Sequence, residues 1–176
     1  NFYLGCISGE FKIVVPLILS LSVISRLVSV SIHVLRSERK GDYDTAVQCL
    51  QDSLTGKREN LNEMDPQIAD TLARLGHVYS KQAQWDSAVT VFADCLKIRE
   101  SIRSSDVASH IAVADALFDL GVALQKALDT QRSLQLFTDA LKEYQRHLNK
   151  NDVKIAQCPS CIGEIHEKTN ELSKAV

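Results

Sequence analysis

The sequence has few of the residues that interrupt helices. Among 176 residues there are three prolines and seven glycines, too few for a collagen-like, low-complexity or proline-rich disordered chain. Cysteine is also sparse: five, spread along the chain, do not make the framework of a small disulfide fold. Neither sign of charge is in excess. Twenty Lys and Arg against 22 Asp and Glu leave a net −2, without the basic footprint of a nucleic-acid-binding surface. No glycine-rich phosphate loop and no dinucleotide fingerprint occurs, so nothing points to a small-molecule substrate or a cofactor. The five histidines, His33, His77, His110, His147 and His166, have no Ser, Cys or carboxylate partner at a spacing that suggests catalysis. What remains is a helical composition, 45% hydrophobic and 24% charged, long enough to bury a core.

The average conceals a seam. Residues 1–35 contain 21 apolar residues and three charged ones, Glu10, Lys12 and Arg26. The uncharged run Ile13 to Ser25 is shorter than the roughly 18 to 20 residues of a spanning helix. Extending it to Leu35 takes in Arg26 and His33, which are costly at membrane depth. Neither an initiating Met nor a clear small-residue cleavage site accompanies it. Three readings of residues 1–35 stay open: a degenerate first helix packed on the remainder of the chain, a non-native segment, or a signal or membrane anchor through residues 11–35.

Residues 36–176 are organised by repetition. Leu72, Leu75, Gly76 and Tyr79 recur 45 residues later as Leu117, Leu120, Gly121 and Leu124. The same offset carries Ala88, Phe92 and Leu96 onto Ser133, Phe137 and Leu141. Four small residues, Ala46, Ala88, Ser133 and Ala175, are spaced 42, 45 and 42. Self-similarity at this period marks a helical repeat array. Within one unit, Leu72, Leu75, Gly76 and Tyr79 fall on one helical face, and Ala88, Phe92, Cys95, Leu96 and Arg99 form a second stripe. The short join Lys81 to Trp85 permits only an antiparallel hairpin. A glycine in mid-helix costs about 1 kcal/mol relative to Ala, so its recurrence implies a close helix approach, with Ala88 expected as the small counterpart of Gly76. Asp65 before Pro66, Asp106 and Asp152 supply helix starts.

The pattern Leu72, Leu75, Gly76, Tyr79, Ala88, Phe92 and Cys95, with Leu117, Leu120, Gly121, Leu124, Ser133, Phe137 and Ala140 in the next unit, resembles the tetratricopeptide repeat (TPR). Its period exceeds the usual length of roughly 34 residues. With Trp85-Asp-Ser-Ala88 and Leu96-Lys-Ile-Arg-Glu100, it is similar to the kinesin-light-chain type. The resemblance implies an all-α fold, an α-solenoid of stacked antiparallel helix hairpins (a TPR-like superhelix) preceded by the atypical hydrophobic segment. The units are expected at about 36–64, 65–105, 106–151 and 152–176, the last incomplete. The chain is then a fragment, or closes in a capping helix over about Pro159–Lys174.

Such an array implies a non-catalytic, cytoplasmic scaffold that holds a protein or peptide in a concave groove lined by the first helix of each unit. Helix phase selects Asp70, Ala73, His77, Ser80 and Lys81 in one unit, and Asp115, Phe118, Val122, Gln125 and Lys126 in the next. Each is also an ordinary exposed helical position. Lys81 and Lys126 stand out because they recur at the last turn, where they can meet a peptide carboxylate or the helix C-terminus. The carboxylate clamp of chaperone-binding TPR domains does not carry over, since His77 and Val122 occupy its Asn slot. An acidic-peptide specificity is not implied either, because Asp70, Asp115 and Asp119 mix with Arg74, Lys81 and Lys126.

Two alternatives belong to other classes. Cys158, Cys161 and His166 invite a zinc or redox module: their Cys-x2-Cys-x4-His spacing opens a zinc knuckle, and Cys158-Pro-Ser-Cys161 alone has the spacing of a redox pair. The fourth ligand position, however, holds Glu171, a rare choice, and a thioredoxin-type pair needs a preceding strand where this region reads as helix. Repeat spacing already uses Ile162, Gly163 and Ala175, so no metal site is assigned. A membrane-tethered TPR adaptor would rest on residues 1–35.

Overall fold

A computed structural model describes residues 42–174. The regular elements among them are helices: α1 (Tyr43–Asn60), α2 (Pro66–Lys81), α3 (Trp85–Ser101), α4 (Val107–Lys126), α5 (Thr130–His147) and α6 (Val153–Lys174). The readings placed on residues 1–35, on Ala175 and on the side chain of Glu171 lie outside the described residues. The chain divides into two units, residues 1–53 and 54–176, with the boundary inside α1. In the first unit, Asp42 accepts from the Thr45 amide at 3.2 Å and its hydroxyl at 2.8 Å, starting α1. Ala46 and Leu50 are buried.

The second unit is a stack of antiparallel helix hairpins, an all-α repeat solenoid. Each helix from α2 to α6 packs on the next, and α4 also meets α6. Aspartates set the starts of α2, α4 and α6. Asp65 accepts from the Gln67 amide ahead of Pro66, Asp106 from the Ser109 amide and Asp152 from the Lys154 amide. These carboxylates satisfy amides that have no partner within the helix. The hairpin turns are copies of one another. Ala83 and Leu128, 45 residues apart, both adopt positive φ, 56° and 69°. Behind them, Gln84 donates its amide to the Tyr79 carbonyl, and Asp129 to that of Leu124, each at 2.9 Å. This left-handed closure usually falls to glycine.

The repeat signature sits where the helices are closest. A Cβ placed on Gly76 would lie 2.5 Å from the Phe92 ring, and one on Gly121 would lie 2.9 Å from the Phe137 ring. The group facing Gly76 is therefore a phenyl ring rather than Ala88. The small residues act beside it. Ala88 and Ser133 are fully buried, and Ser133 donates its hydroxyl to the Gly121 carbonyl at 2.8 Å. Ala88 and Phe92 pack with Leu120, Ala123 and Leu124, while Val113, Ala114, Leu117, Ala140, Tyr144 and Cys158 form a second cluster. Leu96 and Leu136 touch both, so the hydrophobic interior runs on from one hairpin into the next.

Among the described residues, α4 is the one helix long and apolar enough to cross a membrane. One face of it, including Val113, Ala114, Leu117, Leu120 and Leu124, is buried within the stack, whereas Val107 is exposed and Phe118 and Val122 are half-buried. The last helix begins at Val153, earlier than the Pro159 start expected from sequence, and Pro159 lies inside it. That proline lacks the amide that would bond the Ile155 carbonyl. The early start comes from Asp152, whose carboxylate accepts from the Lys154 amide at 2.9 Å. Gly163, aligned with Gly121 by repeat spacing, has no neighbouring atom within 4 Å of a Cβ position.

Candidate functional site

The three helices α2, α4 and α6 share one face, and their side chains enclose a depression of about 350 Å³. Ala73 and His77 come from α2, Asp115, Phe118 and Asp119 from α4, and Lys154 and Gln157 from α6, with Arg99 and Tyr144 reaching in from α3 and α5. The i, i+4 spacing of Ala73 and His77, and of Asp115 and Asp119, puts each pair on one helix face.

The walls are held by polar contacts between helices. Arg99 donates to the Ala112 carbonyl at 2.7 Å and to Asp70 Oδ1 at 3.2 Å, tying α3 to both α4 and α2. His77 Nε2 lies 3.3 Å from Asp119 Oδ2, and its ring meets Phe92 edge-on at 5.2 Å. Asp115 is the most heavily engaged group. Its Oδ1 accepts from the Tyr144 hydroxyl at 2.7 Å, and Lys154 Nζ reaches both carboxylate oxygens, at 2.6 and 2.9 Å. The same ammonium stands 5.7 Å from the centre of the Tyr144 ring. Burial raises the Tyr144 phenol well above its ordinary range, and the hydrogen bond to Asp115 adds to the rise. Tyr144 is thus a fixed donor. Phe118 is half-buried beside Phe137, with ring centres 5.4 Å apart. It offers an apolar surface between the His77–Asp119 and Asp115–Lys154 pairs.

Of the ten residues selected by helix phase, Ala73, His77, Asp115 and Phe118 line this depression. Asp70 lies at its margin through Arg99. Ser80 turns its hydroxyl back to the Gly76 carbonyl at 2.9 Å. Val122 is half-buried, and Gln125 has its amide nitrogen buried without a hydrogen-bond partner among the described residues. Lys81 is exposed at the end of α2. Lys126 lines a different depression, about 470 Å³, with Ala83, Trp85 and Leu128 at the hairpin turns. The contributions of Arg99, Tyr144, Lys154 and Gln157 are not visible from the phase of α2 and α4. They come from other helices, and only the stacking brings them in.

The cysteine motif is incorporated into the packing. Cys158 is fully buried against Val113 and Leu117, and its thiol donates to the Lys154 carbonyl at 3.6 Å. Burial pushes the Cys158 thiol up to about 11. Cys161 is half-buried and His166 exposed. Among the described residues, the metal-capable group that assembles is His110, Glu143 and His147. Its sequence signal is Glu143 four residues before His147, one helical turn apart.

Comparison with known proteins agrees with the helical-repeat fold. Family profiles described as tetratricopeptide repeat match residues 36–101 and 115–147. No protein of curated function matches the sequence. Among solved structures, BtubC (BKLC) from P. vanneervenii is similar at 20% identity and TM-score 0.69, over 83% of this chain and 57% of that one. This chain therefore spans little more than half the length of BtubC. TPR-like repeats described as a kinesin light chain of Podosopora anserina align at 17% identity and TM-score 0.71, covering 86% of this chain and 70% of that one. At these identities the likeness is one of fold.

Proposed function

Because the chain belongs to the tetratricopeptide-repeat family, whose members generally mediate protein–protein interaction without catalysis, we propose that it binds an extended peptide or partner helix. The binding face is the depression across α2, α4 and α6. The observation that carries the reading is the half-buried Phe118, set between two polar pairs from neighbouring helices. An apolar anchor ringed by fixed polar groups is how a modest interface gains orientation and specificity. The occupant that suits it carries one apolar side chain for Phe118, with polar neighbours that accept from Lys154 or Arg99 and donate to Asp119. Affinity on the order of micromolar fits a depression of this size. We place the protein in the cytoplasm, where unpaired thiols such as Cys95 and Cys158 persist.

The test is a peptide selected against the whole chain, with affinity read by fluorescence anisotropy. Substituting Lys81, Phe118 and Lys126 by Ala together should weaken binding at least tenfold. Single substitutions then separate Phe118, inside the depression, from the two lysines at the helix ends. Unchanged affinity in the triple variant contradicts the assignment.

A further inference from the structure

The end of the α4–α5 hairpin opposite its turn carries a cluster that the groove does not use. His110 lies in the first turn of α4, His147 is the last residue of α5, and Glu143 precedes it by one turn. Glu143 Oε2 is 3.3 Å from His110 Nδ1 and 3.7 Å from His147 Nε2. The two imidazoles stack, with centres 4.3 Å apart and planes 17° apart. Arg146 occupies the other carboxylate oxygen at 3.0 Å. All three side chains are largely buried, 15% exposed for Glu143 and 22–23% for the histidines.

One carboxylate oxygen thus faces two imidazoles at distances longer than good hydrogen bonds. Donors about 2.0–2.1 Å from a common zinc-class ion, in tetrahedral arrangement, stand roughly 3.3–3.5 Å apart. The two carboxylate–imidazole separations, 3.3 and 3.7 Å, span that range, and the three donor atoms lie within 4.8 Å of one another. We propose that His110, Glu143 and His147 form a binding site for a divalent transition-metal ion of the zinc class. Two imidazoles and one carboxylate are a borderline nitrogen–oxygen set suited to Zn2+, Co2+ or Ni2+, with water in the fourth position. The stacked rings tilt apart by side-chain rotation to aim both lone pairs at the ion, while Arg146 keeps the carboxylate oriented. Bound metal clips the start of α4 to the end of α5, and stabilises the hairpin by mass action.

The experiment is titration of the whole chain with Zn2+ by calorimetry in a non-coordinating buffer with a phosphine reductant. Co2+ absorption serves as the second readout. One equivalent is expected to bind and raise the melting temperature. The Co2+ spectrum should lack thiolate charge-transfer bands. Glu143→Gln, which keeps the shape of the side chain, and His147→Ala should each weaken affinity by at least about tenfold, the scale of lost support at a metal site. Cys161→Ser should leave it unchanged. Absence of saturable binding to the wild-type chain overturns the proposal. So does binding that survives His110→Ala/His147→Ala, or that disappears with Cys161→Ser.

Discussion

The ring of Phe92 rests on Gly76 so closely that a Cβ there would stand 2.5 Å from Cε1. Phe137 repeats the relationship on Gly121, 45 residues on. The recurring glycine of the repeat is therefore an opening for an aromatic ring, and its helix-propensity cost is offset by the buried phenyl. Gly76→Ala should destabilise the chain by about 1–3 kcal/mol, the range for overpacking a core. Gly163→Ala and Gly56→Ala, where a Cβ meets nothing within 4 Å, should stabilise it by about 0.5–1 kcal/mol through propensity alone. Urea denaturation of the three variants checks the contrast. A neutral Gly76→Ala would show that the ring can retreat.

Asp115 couples three helices through Tyr144 and Lys154. Tyr144→Phe removes one hydrogen bond to a charged acceptor, worth about 1.5–3 kcal/mol. Lys154→Met should cost less than about 1 kcal/mol, since Lys154 and Asp115 are both about a third or more exposed and solvent screens the pair. Thermal melts at two salt concentrations separate them. The Lys154→Met deficit should shrink in high salt, and the Tyr144→Phe deficit should persist.

Leu128 combines a positive φ with 86% exposure. A left-handed conformation costs a non-glycine residue about 1–2 kcal/mol, and here no buried contact offsets it. Leu128→Gly should raise stability by about 1 kcal/mol. A rise in melting temperature confirms this, and a fall would mean that the exposed leucine contributes contacts of its own.

Burial pushes the Cys95 and Cys158 thiols up to about 11, and raises that of Cys161 as well. A raised thiol is neutral in the folded state at physiological pH. The stability it contributes is whole below the ordinary thiol value, and is lost as pH rises toward 11. Alkylation at pH 8, mapped by mass spectrometry, should label half-buried Cys161 well before Cys158 and Cys95. Equal rates for Cys158 and Cys161 would contradict the buried placement.

Much of this architecture is written in local pattern. The Leu–Gly–Phe spacing fixes the hairpins, because each helix face and each close approach is set by residues a few turns apart. Asp65 and Asp106 mark helix starts through bonds to amides two or three residues away, so their meaning is also local. The groove is half legible for the same reason. Ala73, His77, Asp115 and Phe118 follow from helix phase, whereas Arg99, Tyr144 and Lys154 enter only after the hairpins stack. The Asp115–Lys154 contact joins residues 39 apart, and no periodicity within one unit encodes it. Likewise, Glu143 and His147 are a visible pair one turn apart, but the third member, His110, is supplied by another helix. At the start of α6, Pro159 and Asp152 are competing boundary signals. The aspartate prevails because its carboxylate bonds a helix amide, whereas the proline forfeits only one bond within the helix.

The most direct test of the binding face is a titration of the 15N-labelled whole chain with a selected peptide, followed by amide chemical shifts. Shifts should concentrate at Ala73, His77, Phe118, Asp119 and Gln157, on the shared face of α2, α4 and α6. Shifts confined to the hairpin turns around Trp85 and Leu128, with those five unmoved, would contradict it.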